Sequence, residues 1–222
     1  QMVAAVYCYI ALSKIGGLKL TKEDFVPEKK RTVHLLRLSL PLAFQNAIIA
    51  VGGMIVQFVV NSFGVLFIAG YAATNKLYGL LEMAAVSFGY AISTYVGQNV
   101  GAGEFKRLKT GHIAALVVSL TTSMVITAVM LVFGKMFIGL FLSGTQEEIA
   151  AAGAVAWRYL VFMSLALSAL YLLYVYRSAL QGMGNTFIPM LSGILEFVMR
   201  TGMVLGLTRL VGSDGIFWAE IS

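Results

Sequence analysis

The chain of 222 residues is 59% hydrophobic and 12% charged, and its mean hydropathy is +0.86. A soluble domain is nearer half apolar, with about a quarter of its residues charged, so this composition excludes the soluble class. It predicts an all-α, polytopic membrane protein, because a helix satisfies its own backbone hydrogen bonds in lipid.

The net charge of +6 does not indicate a nucleic-acid partner, since the basic residues lie in short segments between apolar runs. This pattern favours contact with anionic headgroups of the lipid bilayer. The lone cysteine, Cys8, excludes an internal disulfide, and the two histidines, His34 and His112, leave little from which to build a metal site. Neither a metal site nor an organic cofactor is predicted.

The first 37 residues are predicted to lie outside the main transmembrane domain. Residues 1–13 form an apolar run that is too short to span a bilayer and lacks the features of a signal peptide, so they are predicted to be the end of a transmembrane helix. Residues 14–37 carry seven basic residues, with Gly16, Gly17 and Pro27 as helix breakers, and are predicted to form a cytoplasmic linker.

Residues 38–222 are predicted to form one transmembrane lobe. Its apolar runs predict spans at about 38–62, 71–98, 113–133, 146–180 and 187–210, with the start of another at 215. Between spans, residues 134–144 are predicted to be an outer loop. The uncharged span 113–133 has only Ser and Thr as polar groups, which can bond to carbonyls of their own helix, so it is predicted to face lipid.

Three polar side chains of the span 38–62 fall on one helix face. Asn46, Gln57 and Asn61 are separated by three or four residues or by whole turns, with Gly53 between them. This face predicts either the wall of a polar cavity or a set of hydrogen bonds between helices, and the sequence leaves both open.

The span 71–98 contains one carboxylate, Glu82. An ionisable group in hydrocarbon is costly, and it is a candidate by default for handling an ion or a polar solute. Tyr78 precedes it by about one turn and is a second candidate. Lys76 is six residues away and is not expected to pair with Glu82. The structural alternative is that a hydrogen bond from another helix neutralises Glu82.

The span 146–180 is too long for the hydrocarbon layer and is predicted to protrude from it. Thr145 and Glu148 have the spacing of a capping box at its start. Near its other end, Tyr174, Ser178 and Gln181 share a face. Tyr174 is a candidate site residue, although an aromatic at the membrane interface is the alternative.

The last full span, 187–210, carries Glu196 and Arg200. Their spacing of four residues favours an ion pair within the helix, and direct contact with a solute is the other possibility. Gly202 and Gly206 predict close approach of a neighbouring helix. Residues 14–37, 106–109 and Arg177 hold eleven of the sixteen basic residues at ends that alternate as cytoplasmic.

Two separated motifs carry a resemblance to a known family. They are Gly97-Gln98-Asn99-Val100-Gly101-Ala102-Gly103, followed by the basic cluster, and Ala179-Leu180-Gln181-Gly182-Met183-Gly184-Asn185-Thr186, followed by Pro189. Together they resemble the multidrug and toxic compound extrusion transporters. The resemblance implies the C-terminal six-helix lobe, with about five complete spans and two cut ends, of a twelve-helix transporter whose N-terminal lobe is its partner.

The resemblance also implies a function. It is that of a secondary active transporter in the plasma membrane of a prokaryote (the cell inner membrane), an antiporter coupled to H⁺ or Na⁺ that exports cationic or amphipathic organic compounds by alternating access. The candidate site residues are Glu82, Glu196, Arg200, Asn46, Gln57, Asn61, Tyr78 and Tyr174. A flippase for lipid-linked precursors is an alternative. The few basic residues expected in the cavity argue against it, because anionic lipid phosphates are bound by basic side chains. An intramembrane enzyme is not expected, because no span pairs a nucleophile with a base.

Overall fold

A computed structural model of the protein describes residues 2–14 and 26–222. Apart from turns and short loops, the described residues are helical, and they contain no strand. The helices are α1 (Met2–Ser13), α2 (Lys29–Val60), α3 (Val65–Gly101), α4 (Phe105–Gly139), α5 (Gln146–Gly182), α6 (Phe187–Val211) and α7 (Asp214–Glu220), and a short 3₁₀ turn, Asn61–Phe63, follows α2.

Four of the described helices are long and apolar enough to cross a membrane: Lys29–Phe63, which includes the 3₁₀ turn, Phe105–Gly139, Gln146–Gly182 and Phe187–Val211. The helix α3 has 37 residues and contains the predicted span 71–98. Its composition keeps it out of this group, and Glu82 is one of the polar residues that lower its hydropathy.

Several helices are longer than the sequence predicts. Residues 29–37, assigned to the linker, begin α2; residues 65–70 begin α3; and residues 134–139, assigned to an outer loop, continue α4. Backbone hydrogen bonding does not stop where the apolar run ends, so a helix can extend into the polar boundary of a membrane. Residues 15–25 of the predicted linker, with Gly16 and Gly17, lie outside the described residues.

The described chain falls into two compact units, which divide after Ser39. The first contains α1, whose residues are all exposed. The second, residues 40–222, contains the core. At one end of that core, Tyr71 of α3, Tyr159 of α5 and Phe217 of α7 are stacked with ring centroids 5.0 Å apart in each successive pair.

The core is built on close contact between α3 and α5. At Gly70 an added methyl group would collide with the backbone carbonyl of Ala152, and at Gly182 it would lie 2.6 Å from the carbonyl oxygen of Ser93. Between these points, Thr74 Oγ1 donates a hydrogen bond to the carbonyl oxygen of Ala156 at 2.9 Å. Small residues therefore fix the separation of these two helices.

The glycines that the sequence singled out for helix contact are different ones. Neither Gly202 nor Gly206 has another residue of the described chain within 4 Å of the position that a methyl group would take. Their predicted role in packing is therefore not seen within residues 2–14 and 26–222.

The helix α4 packs one face against α5, and most of its other residues are exposed or half-buried in the described chain. Thr127 Oγ1 donates to the carbonyl oxygen of Ser164 at 2.7 Å, and the hydroxyls of Ser123 and Ser168 lie 2.9 Å apart. The predicted bonds to the same helix occur elsewhere, for example from Thr121 Oγ1 to the carbonyl oxygen of Val117 at 2.8 Å. A Ser or Thr hydroxyl can donate to a carbonyl of its own helix or of a neighbouring helix. The choice depends on which helix packs beside it.

The predicted cap of α5 is present. Thr145 and Glu148 form the capping box at the start of α5. The side-chain oxygen of Asn185 accepts a hydrogen bond from the backbone N–H of Ile188 at 3.2 Å, at the start of α6. Gly184 has φ +79°, which allows the tight turn between α5 and α6.

Candidate functional site

A polar cavity of about 420 Å³ lies between α2, α3, α5, α6 and α7. This volume is within the range of sites for small organic ligands. Five charged side chains line it: Glu82, Arg177, Glu196, Arg200 and Glu220. The uncharged polar groups around them include Gln57, Asn75, Tyr78 and Tyr174.

Glu82 and Tyr174 meet inside this cavity. Tyr174 of α5 donates a hydrogen bond from its hydroxyl to Glu82 Oε1 at 2.7 Å. Within the described residues no ion pair involves Lys76. Tyr174 thus points its hydroxyl into the cavity, and the interpretation of this residue as an interface aromatic is wrong.

Glu196 is the centre of an ion-pair network. The predicted pair with Arg200 is confirmed, with 3.1 Å between Arg200 Nη2 and Glu196 Oε1. The other carboxylate oxygen accepts from Arg177 Nη2 at 2.8 Å. All three side chains are at most 19% exposed. One carboxylate therefore joins two guanidinium groups, one on its own helix and one on α5.

The position of Arg177 corrects the sequence analysis. We counted it among the basic residues that mark the cytoplasmic face, but its side chain is 13% exposed and points toward α6. Its Nε also donates to Ser192 Oγ at 3.0 Å. The position of Arg177 near the end of its helix predicted a cytoplasmic charge. Its guanidinium group instead points into the lobe, where Ser192 and Glu196 bind it.

Glu220 completes the network and was missed by the sequence analysis. Its carboxylate accepts a hydrogen bond from the hydroxyl of Tyr71 and lies 3.8 Å from Arg200 Nη1. In the sequence, Glu220 directly follows the apolar run Ile216–Ala219. A carboxylate beside or within an apolar run is also the pattern that made Glu82 a candidate.

The charges in the cavity do not balance. When all five groups are ionised, three carboxylates face two guanidinium groups, which leaves one net negative charge. Glu196 and Glu220 each form an ion pair with an arginine, whereas within the described residues Glu82 forms none. The excess negative charge therefore lies at Glu82, and it favours a cation there.

A second cavity of about 380 Å³ adjoins the first. Ile49, Tyr174 and Arg177 line both cavities, so the polar space continues along α5. Asn46 lines the second cavity, as do Ser178 and Gln181, the predicted partners of Tyr174 on one face.

The polar face of α2 is only partly in the cavities. Gln57 lines the first and Asn46 the second. Asn61 lies beyond the end of α2, in the 3₁₀ turn, where it is exposed and accepts a hydrogen bond from Gln57 Nε2 at 2.9 Å. Gln45, which the sequence analysis did not select, is 5% exposed and also lines the second cavity.

The described residues contain no cluster of three side chains of the types that bind metal ions. The carboxylates and hydroxyls of the cavity suit a proton, an alkali cation or an organic cation, each held by oxygen atoms.

Comparison with known proteins identifies a family. The MatE family model matches residues 41–206. The chain is similar to the probable multidrug resistance protein YoeA of Bacillus subtilis (strain 168), with 30% identity over 139 residues, which is 61% of this chain and 30% of YoeA. It is also 28% identical over 137 residues to the probable multidrug resistance protein YpnP of the same organism, over 62% of this chain and 30% of YpnP.

Solved structures share the fold. A MATE transporter in complex with MaL6 superposes with a TM-score of 0.84 at 15% identity, over 98% of this chain and 50% of that one. An outward-facing multidrug resistance MATE transporter of the MOP superfamily superposes with a TM-score of 0.77 at 16% identity, over 85% of this chain and 41% of that one. A MOP superfamily transporter from Pyrococcus furiosus superposes with a TM-score of 0.77 at 16% identity, over 85% of this chain and 40% of that one. Its binding pocket is described as having reverse polarity.

These comparisons confirm the all-α membrane fold and its relation to half of a transporter. The chain spans half or less of each matched structure and about 30% of the two curated relatives. It is a multi-pass membrane protein, and its family consists of transporters and not of enzymes. Because the family model matches well over half of the sequence, the chain belongs to the MatE family of membrane transporters.

Proposed function

We propose that the chain forms the C-terminal lobe of a secondary antiporter in a prokaryotic plasma membrane. The transporter exports cationic or amphipathic organic compounds in exchange for H⁺ or Na⁺, by alternating access between this lobe and an N-terminal lobe. The proposal rests on the excess negative charge at Glu82 in the polar cavity. The other two carboxylates of this cavity, Glu196 and Glu220, are paired with arginines.

Exchange follows from competition for this one carboxylate. Glu82 can hold a proton or Na⁺, or it can face an organic cation, but it cannot neutralise both at once. Tyr174 keeps one carboxylate oxygen oriented by its hydrogen bond and leaves the other without a side-chain donor in the described residues. Binding of the coupling ion therefore releases the substrate, and the two are transported in opposite directions.

The ion-pair network supplies a coupling between helices. Arg177 and Glu196 connect α5 to α6, and Tyr71 and Glu220 connect α3 to α7. Any ligand that competes for these groups changes the contacts that hold the helices together. We assign Glu196 and Arg200 to the movement of the lobe and to contact with the solute in the cavity that they line.

The names of the relatives agree with a multidrug substrate. YoeA and YpnP are both described as probable multidrug resistance proteins. The mixed lining of the cavity, with tyrosine rings and aliphatic side chains beside the carboxylates, suits flat or amphipathic cations of more than one shape.

The test is uptake of a fluorescent organic cation into everted vesicles that contain the full-length transporter, because export from the cytoplasm becomes accumulation inside such vesicles. A pH gradient and a Na⁺ gradient are imposed separately, and the effective one identifies the coupling ion. We expect Glu82→Gln to abolish gradient-driven transport, while Glu147→Gln, an exposed carboxylate in the first turn of α5, retains it. Equal transport by Glu82→Gln and the wild type would contradict the proposal.

One observation favours the flippase alternative. The cavity contains two arginines, Arg177 and Arg200, where the sequence predicted few basic residues, and arginine is suited to binding lipid phosphates. Both arginines are already paired with Glu196, so the antiporter remains the better-supported proposal. Translocation of a labelled lipid-linked precursor in proteoliposomes distinguishes them: a flippase carries it, whereas the antiporter carries only the organic cation.

A further inference from the structure

An apolar pocket of about 320 Å³ lies on the outside of the lobe, apart from the two polar cavities. It lies where the end of α3, the start of α4 and the end of α5 come together, which is the predicted cytoplasmic end of all three helices. Its base is formed by Val96 and Ala179, which are 3% and 6% exposed. Leu108 and Met183 form its sides.

The walls of this pocket are fixed by contacts between helices. The hydroxyl of Tyr95 donates to the backbone carbonyl of Arg107 at 2.9 Å and holds the start of α4 against α3. On the other side, the rings of His112 and Tyr176 meet edge to face with centroids 5.1 Å apart and join α4 to α5. The pocket is therefore a built feature of the helix packing.

Basic side chains surround the opening. Lys109 and His112 line the pocket, and Lys106 and Arg107 are exposed one turn or less from Lys109. Within the described residues Lys106, Arg107 and Lys109 form no ion pair, and Glu104 is the one acidic residue in the adjoining turn. The site thus combines an apolar interior with a basic rim at the predicted cytoplasmic end of the helices.

We propose that this pocket binds one anionic phospholipid of the inner leaflet. An acyl chain occupies the space over Val96 and Ala179, and the phosphate lies between Lys109 and the imidazole of His112. A basic pocket between helices on the cytoplasmic side is suited to an anionic headgroup. A soluble anion would leave the apolar interior unfilled, and a zwitterionic lipid would gain less from the basic rim. The inference depends on the membrane orientation and not on the transported substrate.

The test measures lipid binding by native mass spectrometry of the delipidated full-length transporter. Dioleoyl phosphatidylglycerol and dioleoyl phosphatidylcholine, which have the same acyl chains, are titrated separately. We expect phosphatidylglycerol to bind more tightly, and Lys109→Gln to weaken its binding about fivefold while leaving phosphatidylcholine unchanged. The matched control is Lys135→Gln, at the opposite end of α4, which should change neither.

A second variant tests the apolar part of the site. Met183 is 49% exposed and lines the pocket, so Met183→Trp should fill it without disturbing the core and should weaken binding of both lipids. The proposal is overturned if both lipids bind wild type equally, if Lys109→Gln and Lys135→Gln have the same effect, or if Met183→Trp leaves binding unchanged. It is also overturned if free glycerol 3-phosphate displaces phosphatidylglycerol, because the site would then recognise a soluble anion.

Discussion

Tyr174 on α5 donates a hydrogen bond to Glu82 on α3, with 2.7 Å between the two oxygen atoms. These residues are 92 positions apart in the sequence, and the contact is possible because Gly70 and Gly182 allow the two helices to pack closely. The same helix pair thus provides the rigid core of the lobe and the carboxylate that we propose as its coupling group.

Removing the charge of Glu82 should remove the pH dependence of substrate binding. In the wild type, affinity for an organic cation should fall as the pH is lowered, because protonation cancels the negative charge. Glu82→Gln keeps the shape but cannot attract a cation, so its affinity should be lower and nearly constant with pH. Binding of a fluorescent cation in detergent, measured against pH, checks this.

Glu196 and Glu220 face the same cavity, and both are paired with arginine. If Glu82→Gln and the wild type have the same affinity and the same slope against pH, Glu82 has a structural role and other groups of the cavity attract the cation.

Two tyrosines near the end of α5 provide a matched pair of variants. Tyr174→Phe removes the hydroxyl that donates to Glu82, whereas Tyr176→Phe changes a half-exposed ring on the outside of the helix. A hydrogen bond to a charged group contributes roughly 1.5–3 kcal/mol, so Tyr174→Phe should weaken substrate binding about tenfold. Tyr176→Phe should leave it unchanged. Equal effects would show that the hydrogen bond does not position Glu82.

Breaking the ion-pair network should lower stability more than it changes substrate recognition. Glu196→Gln leaves Arg177 and Arg200 without their shared partner in a largely buried setting, which should cost roughly 3–5 kcal/mol in the free energy of unfolding. From the sequence alone, Arg200→Met would be expected to rescue this variant. In the structure, a second guanidinium group contacts Glu196, so that rescue should be partial.

Replacing Arg177 by Met in the Glu196→Gln background should recover more stability than replacing Arg200, because removal of Arg200 also leaves Glu220 without its arginine partner. Thermal unfolding of the purified transporter measures each step. No recovery from either change would argue that the pairs do not contribute to folding.

Close contact at Gly70 should make it sensitive to the smallest substitution. An added methyl group at this position collides with the backbone of Ala152, so Gly70→Ala should destabilise the protein by roughly 1–3 kcal/mol. Gly79, on the same helix, has no other residue within 4 Å of such a methyl group. Gly79→Ala should therefore be neutral or slightly stabilising. Thermal unfolding of the two variants, side by side, tests the contact; a similar loss in both would indicate a helix-wide effect.

The sequence alone predicted the all-α membrane class, the approximate positions of the long helices and the ion pair between Glu196 and Arg200. These features depend on apolar length and on spacing within one helix, which are local properties of the chain. The capping box at Thr145 was predictable for the same reason. The ends of helices were less well predicted, because polar residues at a helix end are compatible with either a continued helix or a loop.

The partners of the charged groups were decided by tertiary structure alone. Arg177 has the sequence context of a cytoplasmic charge, and Glu220 lies in a short seventh helix, yet both reach the same cavity as Glu196. Contact between helices depends on their relative rotation and separation, which here follow from the glycines that bring α3 and α5 together. A single sequence specifies which face of each helix is polar, but the packing of the helices determines which polar faces meet.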